Sequence, residues 1–152
     1  RRPVVMRWLI PPFLVLFCII AINLMWFFWP VYQIVPEPFR YLGILISVVG
    51  LILLVVASNR FKKAKTNIHT FRDPDMLITS GLFAISRNPM YLGFTLLLLG
   101  AALLANIFAA LVVVIFFFVV TNLWYIPFEE KAAKERFGEE FERYKKRVRR
   151  WI

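Results

Sequence analysis

The segment Ser86-Arg87-Asn88-Pro89-Met90-Tyr91-Leu92-Gly93 places a charge, an amide and a proline directly before a long apolar run. Proline is favoured in the first turn of a helix, so the segment predicts a helix that begins at Pro89. The first N–H groups of a helix have no partner within it and attract carboxylates or phosphates. The segment is therefore either a simple helix cap or one side of a ligand site.

Four apolar runs surround this segment, at 8–29, 39–58, 89–104 and 107–127. The chain has 152 residues, 61% of them hydrophobic, and a mean hydropathy of +0.70, which is typical of integral membrane proteins. The third run is short for a span of about 20 residues, so we expect its helix to tilt or to end early. The pattern predicts an all-α integral membrane protein with four transmembrane helices, the third and fourth forming a helical hairpin at 104–106.

The basic residues predict on which side of the membrane each connection lies. Of the 19 lysines and arginines, all but Arg40 precede the first run, separate the second from the third, or follow the fourth. The positive-inside rule then predicts that both termini and the 86–93 segment are cytoplasmic. Since most of the chain lies in lipid, we attribute the net charge of +10 to contact with an anionic bilayer surface and expect no nucleic acid partner.

The end of the chain has a different pattern. Phe137, Phe141, Tyr144, Val148 and Trp151 follow one another at helical spacing and form one apolar stripe among charged residues. This stripe predicts a C-terminal amphipathic cytoplasmic helix, which either lies on the membrane surface or covers a site built by the connections beside it. We expect a single domain over 1–152, with N-terminal spans in 8–58 and a motif-bearing part in 67–152.

Small and polar residues inside the apolar runs predict contacts between helices. Gly43, Ser47 and Gly50 share one stripe of the second helix, which suits close helix packing and also permits a dimer, so the oligomeric state stays open. Asn23 and Asn122 are expected to hydrogen-bond to neighbouring helices and to serve packing alone.

Several common catalytic patterns are missing from the sequence. The chain has one histidine, His69, and one cysteine, Cys18, so we expect no metal site and no Ser-His-Asp triad. Cys18 lies inside an apolar run and is expected to be a small buried hydrophobe. Polar groups concentrate instead around 60–88 and at Glu129-Glu130. These two acids either pair with the basic connections or accept hydrogen bonds from a ligand, and Arg87 is either an interfacial anchor or a ligand contact.

Two sequence blocks resemble the membrane methyltransferase family of isoprenylcysteine carboxyl methyltransferase, which is itself similar to the phospholipid N-methyltransferases. The first block, at 77–83 and 86–93, is similar to the family pattern LVTSGxY…RHPxYxG. The second, at 129–130 and 137–151, is similar to EE…FGxxYxxY…VxRW. The resemblance covers 67–152, and both blocks adjoin a predicted membrane span.

The resemblance implies S-adenosylmethionine as methyl donor, with S-adenosylhomocysteine as product, and a lipophilic or small methyl acceptor with a carboxylate or thiol. An amine phospholipid is the alternative acceptor. Together with the charge of Arg87, it implies a cofactor site formed by Asp75, Met76, Leu77, Ile78, Phe83, Arg87, Asn88, Pro89, Met90, Tyr91 and Glu129. The catalytic positions expected are Tyr91 beside the sulfonium, Tyr125 on the acceptor side, and Glu130 as proton acceptor for an amine.

The chain differs from the family pattern at three positions. Asn88 stands in place of a histidine, and Phe83 in place of a tyrosine. Tyr125 stands where the prenylcysteine enzymes have an arginine for their substrate, which argues against a prenylcysteine acceptor. The missing arginine at Tyr125 and the short N-terminal region also motivate a further alternative, a non-catalytic structural or partner-binding membrane protein in which Arg87 and Glu129 pair with each other or with the C-terminal tail.

Overall fold

The computed structural model describes residues 11–30, 32–63 and 77–152. Within these ranges the protein is entirely helical and contains no strand, which confirms the predicted all-α class. Six α-helices follow one another along the chain: α1 Pro11–Phe28, α2 Leu42–Lys63, α3 Pro89–Ala105, α4 Phe108–Val120, α5 Ile126–Phe137 and α6 Glu139–Arg147.

Three helical stretches of the described chain are long and apolar enough to cross a membrane: Pro11–Phe28, Phe39–Arg60 and Phe108–Phe137. The third of these is continuous because a π-helical segment, Thr121–Tyr125, joins α4 to α5. α3 has 17 residues and is shorter, as its short apolar run predicted, so the structure supports three of the four predicted spans by length. α3 packs against α1, α2 and α4 and therefore lies at the centre of the bundle.

The predicted small-residue stripe of α2 forms the contact with α3. A Cβ atom built on Gly100 of α3 would lie 2.4 Å from the carbonyl oxygen of Gly43, and one built on Gly50 would lie 2.6 Å from that of Gly93. The helices run antiparallel with their backbones in direct contact, and Ser47 Oγ donates a hydrogen bond to the Leu97 carbonyl at 3.2 Å. The prediction of close packing is confirmed, and the stripe is occupied by α3 of the same chain.

The hairpin predicted at 104–106 is present and is held by Asn106. This residue ends α3 in the left-handed conformation (φ 53, ψ 44), which asparagine tolerates better than most residues, and its N–H donates to the Ala102 carbonyl. Its side-chain oxygen accepts from the N–H groups of Ile34 and Val35 at 3.0 and 3.1 Å, and its Nδ2 donates to the Val35 carbonyl at 2.9 Å. The hairpin is thereby tied to the connection between α1 and α2.

Arg40, the one basic residue that the described part of the chain places at this end of the bundle, has a local role. Its Nε donates to the Leu104 carbonyl at 2.9 Å, and its Nη1 pairs with Glu37 at 3.0 Å. A positive charge at the C-terminal end of α3 satisfies a carbonyl that the helix leaves unpaired and complements the helix dipole. The exception in the charge pattern therefore caps α3.

The C-terminal stripe packs on the protein itself. Phe141, Tyr144 and Val148 are buried in one apolar cluster with Ile78 and Phe83. The predicted helix extends to Trp151, whereas α6 ends at Arg147 and the chain is extended at Val148 (φ −125, ψ 130). The helix ends early because the backbone beyond it bonds to another segment, the start of α3.

Candidate functional site

The start of α3 is built as its sequence predicts. The helix begins at Pro89, and the Asn88 carbonyl accepts the N–H of Leu92 at 3.0 Å. Ser86 is buried and its Oγ accepts the N–H of Asn88 at 3.1 Å, which closes a tight turn before the helix. This turn holds Arg87 and Asn88 at the N-terminal end of α3.

The last residues of the chain cross this turn. The N–H of Arg87 donates to the Arg149 carbonyl at 3.0 Å, and Asn88 Nδ2 donates to the Arg150 carbonyl at 2.9 Å. Asn88, which replaces the histidine of the family pattern, thus uses its amide to hold the tail. The tail and the start of α3 therefore form one unit.

Glu130 of α5 joins two arginines from distant parts of the chain. Its Oε1 accepts from Arg87 Nη1 at 3.1 Å and from Arg150 Nε at 3.2 Å, and its Oε2 accepts from Arg150 Nη2 at 3.3 Å. The side chains of Arg87, Glu130 and Arg150 are 11%, 15% and 32% exposed. Two guanidinium groups share one carboxylate, so this cluster carries a net positive charge. Arg87 Nε is buried and has no hydrogen-bond partner among the described residues.

Arg150 also contacts the π-helical segment through Asn122. Its Nη1 lies 3.2 Å from both the backbone oxygen and the side-chain Oδ1 of Asn122. Trp151 Nε1 donates to the same Oδ1 at 3.1 Å, and its ring stacks on Phe118 at 4.8 Å. Asn122, which we expected to serve packing between helices, is instead the acceptor for the C-terminal tail.

The sequence contains the reason why the Asn122 carbonyl is available. In the π-helical segment the N–H of Ile126 donates to the Thr121 carbonyl, five residues earlier. The same register would pair the Asn122 carbonyl with the N–H of residue 127, which is Pro127 and has none. An asparagine five residues before a proline was thus the sequence signal for this free carbonyl. The signal can be interpreted only when the segment is known to be π-helical.

A second group of side chains lies around Tyr91. The Tyr91 hydroxyl donates to Glu129 Oε1 at 2.9 Å, and its ring is parallel to that of Tyr125 with centroids 6.2 Å apart. Tyr91 and Tyr125 are both buried, in a cluster with Ile126. The structure therefore brings together Tyr91, Tyr125 and Glu129, three residues that the sequence had placed in one site.

The other predicted cofactor positions divide into two groups. Ile78 and Phe83 are buried in the apolar cluster with Phe141, and Leu77 and Met90 pack against it. These four side chains contribute to the packing beneath α6. Asp75 and Met76 lie outside the described residues. The assignment of all these positions to a cofactor stays a prediction.

Tyr144 gives a pH-dependent test of this packing. Its hydroxyl donates to the Phe83 carbonyl at 2.6 Å. Burial raises the pKa of Tyr144 to about 12, and the charges of Arg87 and Arg147 act in the opposite direction. Because the folded state holds this proton more tightly than the unfolded state, the contribution is complete below about pH 10 and is lost as the pH rises toward 12.

We expect Tyr144→Phe to lower the free energy of unfolding by about 1 kcal/mol at pH 8, the usual net value of a hydrogen bond. The difference from the unsubstituted protein should shrink between pH 10 and 12, measured by chemical unfolding in detergent. Tyr41→Phe, at an exposed position, is the control and should show no such trend. A difference for Tyr144→Phe that stays constant over this pH range would contradict the assignment.

The sequence profile of the phospholipid methyltransferase family matches residues 39–140. No curated protein and no solved structure matches the chain. The matched region contains α2, α3, the π-helical segment and Glu129-Glu130, and it begins well before position 67, where the resemblance seen in the sequence starts. The predicted family is therefore confirmed over a longer stretch of the N-terminal half than the motifs covered. This chain belongs to the phospholipid methyltransferase family.

Proposed function

We propose that the protein is a membrane methyltransferase that takes its methyl group from S-adenosylmethionine and transfers it to a lipophilic or small acceptor. The observation that carries the proposal is the Tyr91–Glu129 hydrogen bond beside the Arg87–Glu130–Arg150 cluster, in a chain of a methyltransferase family. Two chemically different groups therefore meet near the start of α3. The first, Tyr91 with Glu129, is aromatic and acidic, and the second, which contains Arg87 and Glu130, carries a net positive charge. Glu129 and Glu130 are consecutive residues of α5.

The residues present fit the chemistry of this cofactor. Its carboxylate suits the net positive cluster, where Arg87 Nε is a buried donor with no partner in the described chain. The positive end of the α3 helix dipole favours the same negative charge. Its positive sulfonium suits the aromatic ring of Tyr91 near the start of α3. A carboxylate such as Glu129 suits a ribose hydroxyl or the amino group.

When bound, S-adenosylmethionine supplies an electrophilic methyl group whose transfer is an in-line displacement and depends mainly on alignment. The role of this chain is then to position the methyl donor and the acceptor and to exclude water from the site. The Tyr91 hydroxyl orients Glu129, and the parallel ring of Tyr125 packs against the ring of Tyr91. The tail across Arg87 and Asn88 shields the start of α3 and strengthens electrostatic interactions there.

An amine phospholipid is the second candidate acceptor, and Tyr125 favours it. This residue is fully buried and stacked with Tyr91 at the position where an arginine would attract a carboxylate. A tyrosine offers no positive charge to a carboxylate, so this position lacks the group that would favour a carboxylate acceptor over an amine. Glu130, which we predicted as proton acceptor for an amine, has both oxygens bonded to arginines, which argues against that role.

The contacts also bear on the non-catalytic alternative. That alternative expects Arg87 and Glu129 to pair with each other or with the tail. The Arg87 N–H does bond to the tail, whereas its side chain pairs with Glu130 and keeps one buried donor without a partner in the described chain. An unsatisfied buried donor costs free energy, and a ligand that accepts from it removes that cost. This favours a binding site.

The proposal is tested by calorimetric titration of the purified full-length protein with S-adenosylhomocysteine, in detergent and in lipid nanodiscs. We expect Tyr91→Ala and Glu129→Ala each to weaken binding by about tenfold or more, a loss of about 1.4 kcal/mol. Tyr41→Ala and Glu135→Ala remove the same groups from exposed positions and should bind as the unsubstituted protein does. Absence of binding in both media would contradict the proposal.

The acceptor is identified in a separate assay with the methyl-labelled donor and native membranes. Label in the extracted phospholipid assigns an amine lipid. Base-labile label released as methanol assigns a carboxylate, and label in a thioether assigns a thiol. We propose that the C-terminal tail, the N-terminus and the site are all cytoplasmic. Protease accessibility of the C-terminal tail in sealed vesicles of known orientation tests this proposal.

A further inference from the structure

The C-terminal segment, residues 148–152, makes polar contacts as well as apolar packing contacts. Its backbone accepts hydrogen bonds from Arg87 and Asn88 at the start of α3. Its side chains bond to Glu130 of α5 and to Asn122 of the π-helical segment. Five consecutive residues therefore connect three parts of the candidate site.

Arg150 is the residue on which these contacts converge. Its Nε and Nη2 donate to the two oxygens of Glu130, and its Nη1 donates to the backbone and side-chain oxygens of Asn122. Its own carbonyl accepts from Asn88. A guanidinium group holds its three nitrogens in one plane and can bridge two acceptors at fixed angles, which an ammonium cannot do.

We propose that Arg150 is a positioning residue of the site. It holds residues 148–152 across the start of α3 and turns the Glu130 carboxylate toward Arg87, so that Arg87 keeps one donor for a ligand carboxylate. The inference rests on the proposed function, because the ligand in question is the methyl donor. It goes beyond that function, since Arg150 lies outside the region that matches the family profile and, although it is the arginine of the VxRW block, it is not among the predicted site residues.

Arg149 provides a matched control. It is adjacent and carries the same charge, but its side chain is exposed and it takes part through its backbone carbonyl, which a substitution keeps. A comparison of Arg149→Ala with Arg150→Ala therefore separates loss of one positive charge from loss of the bridge between Glu130 and Asn122.

The experiment measures hydrogen–deuterium exchange in the full-length protein without ligand, followed by titration with S-adenosylhomocysteine. Arg150→Ala should speed exchange of the Arg87 amide by about tenfold or more, because the carbonyl that protects it is released with the tail. Arg149→Ala should change this rate by no more than about twofold. Affinity for S-adenosylhomocysteine should fall by about tenfold in Arg150→Ala and by less in Arg150→Lys, which restores charge but only part of the bridge.

Two results would overturn the inference. One is an Arg87 amide that stays as protected in Arg150→Ala as in Arg149→Ala. The other is an equal loss of protection throughout 95–103 in α3, which would give Arg150 a general role in folding. The exchange measurement needs no ligand, so it decides the role of Arg150 even if the unsubstituted protein binds no S-adenosylhomocysteine, a result that would count against the proposed function alone.

Discussion

Gly100→Val is expected to lower the free energy of unfolding by about 3 kcal/mol, the upper part of the usual range for overpacking. A Cβ atom at this position would lie 2.0 Å from Ser47 Oγ, 2.4 Å from the Gly43 carbonyl oxygen and 2.8 Å from the Ser47 nitrogen. Two of these three atoms belong to the backbone of α2 and cannot rotate away. The two helices must separate, which removes the contact that places the start of α3 beside the other site elements.

The measurement is thermal or chemical unfolding in detergent, and Ala109→Val is its control. Ala109 lies near the start of α4 and is exposed, so a larger side chain is expected to fit there without moving a neighbouring helix. A Gly100→Val protein as stable as Ala109→Val would show that α2 and α3 do not pack as closely as the structure has them.

Glu130→Ala is expected to cost about 3 kcal/mol of unfolding free energy, the low end of the range for breaking a buried ion pair. The substitution leaves Arg87, which is 11% exposed, without its charge partner. It also leaves two guanidinium groups near each other with no carboxylate between them. The value is at the low end because Arg150 is about one-third exposed and water screens its charge.

Glu135→Ala removes an exposed carboxylate from the same helix and should be close to neutral. A double substitution, Glu130→Ala with Arg87→Met, should recover part of the loss, because the uncompensated buried charge is then gone. Equal stability of Glu130→Ala and Glu135→Ala in chemical unfolding would contradict the ion-pair assignment. So would a double variant that is less stable than Glu130→Ala by the full cost of a second independent substitution.

Some features could be predicted because they depend on neighbours in the sequence. Pro89 lacks an N–H and has the φ angle of a first helical turn, so the start of α3 was readable from one residue. The stripe of Gly43, Ser47 and Gly50 was readable from helical periodicity, since residues three and four apart share one face. The hairpin at Asn106 was readable from a short polar interruption between two apolar runs.

Other features of the site could not be predicted in this way. Glu130 lies 43 positions from Arg87, and no periodicity relates the two residues. Phe83 fits a cofactor motif by position, yet its side chain is buried beneath α6. Asn122 lies in an apolar run. Its carbonyl is left without a helical N–H by the π-helical register and by Pro127, and Arg150 reaches this carbonyl only in the folded protein.

The sequence by itself therefore determined the helical class, the apolar spans, the start and end of α3 and the family. These properties follow from hydrogen bonds and side-chain spacing within a few residues, and from composition. Only the tertiary structure decided which acid meets which arginine, that the C-terminal tail crosses the start of α3, and that Tyr91 contacts both Glu129 and Tyr125. Such pairings depend on how α3, α5 and the tail pack together, because each joins groups that are distant along the chain and close only in the folded protein.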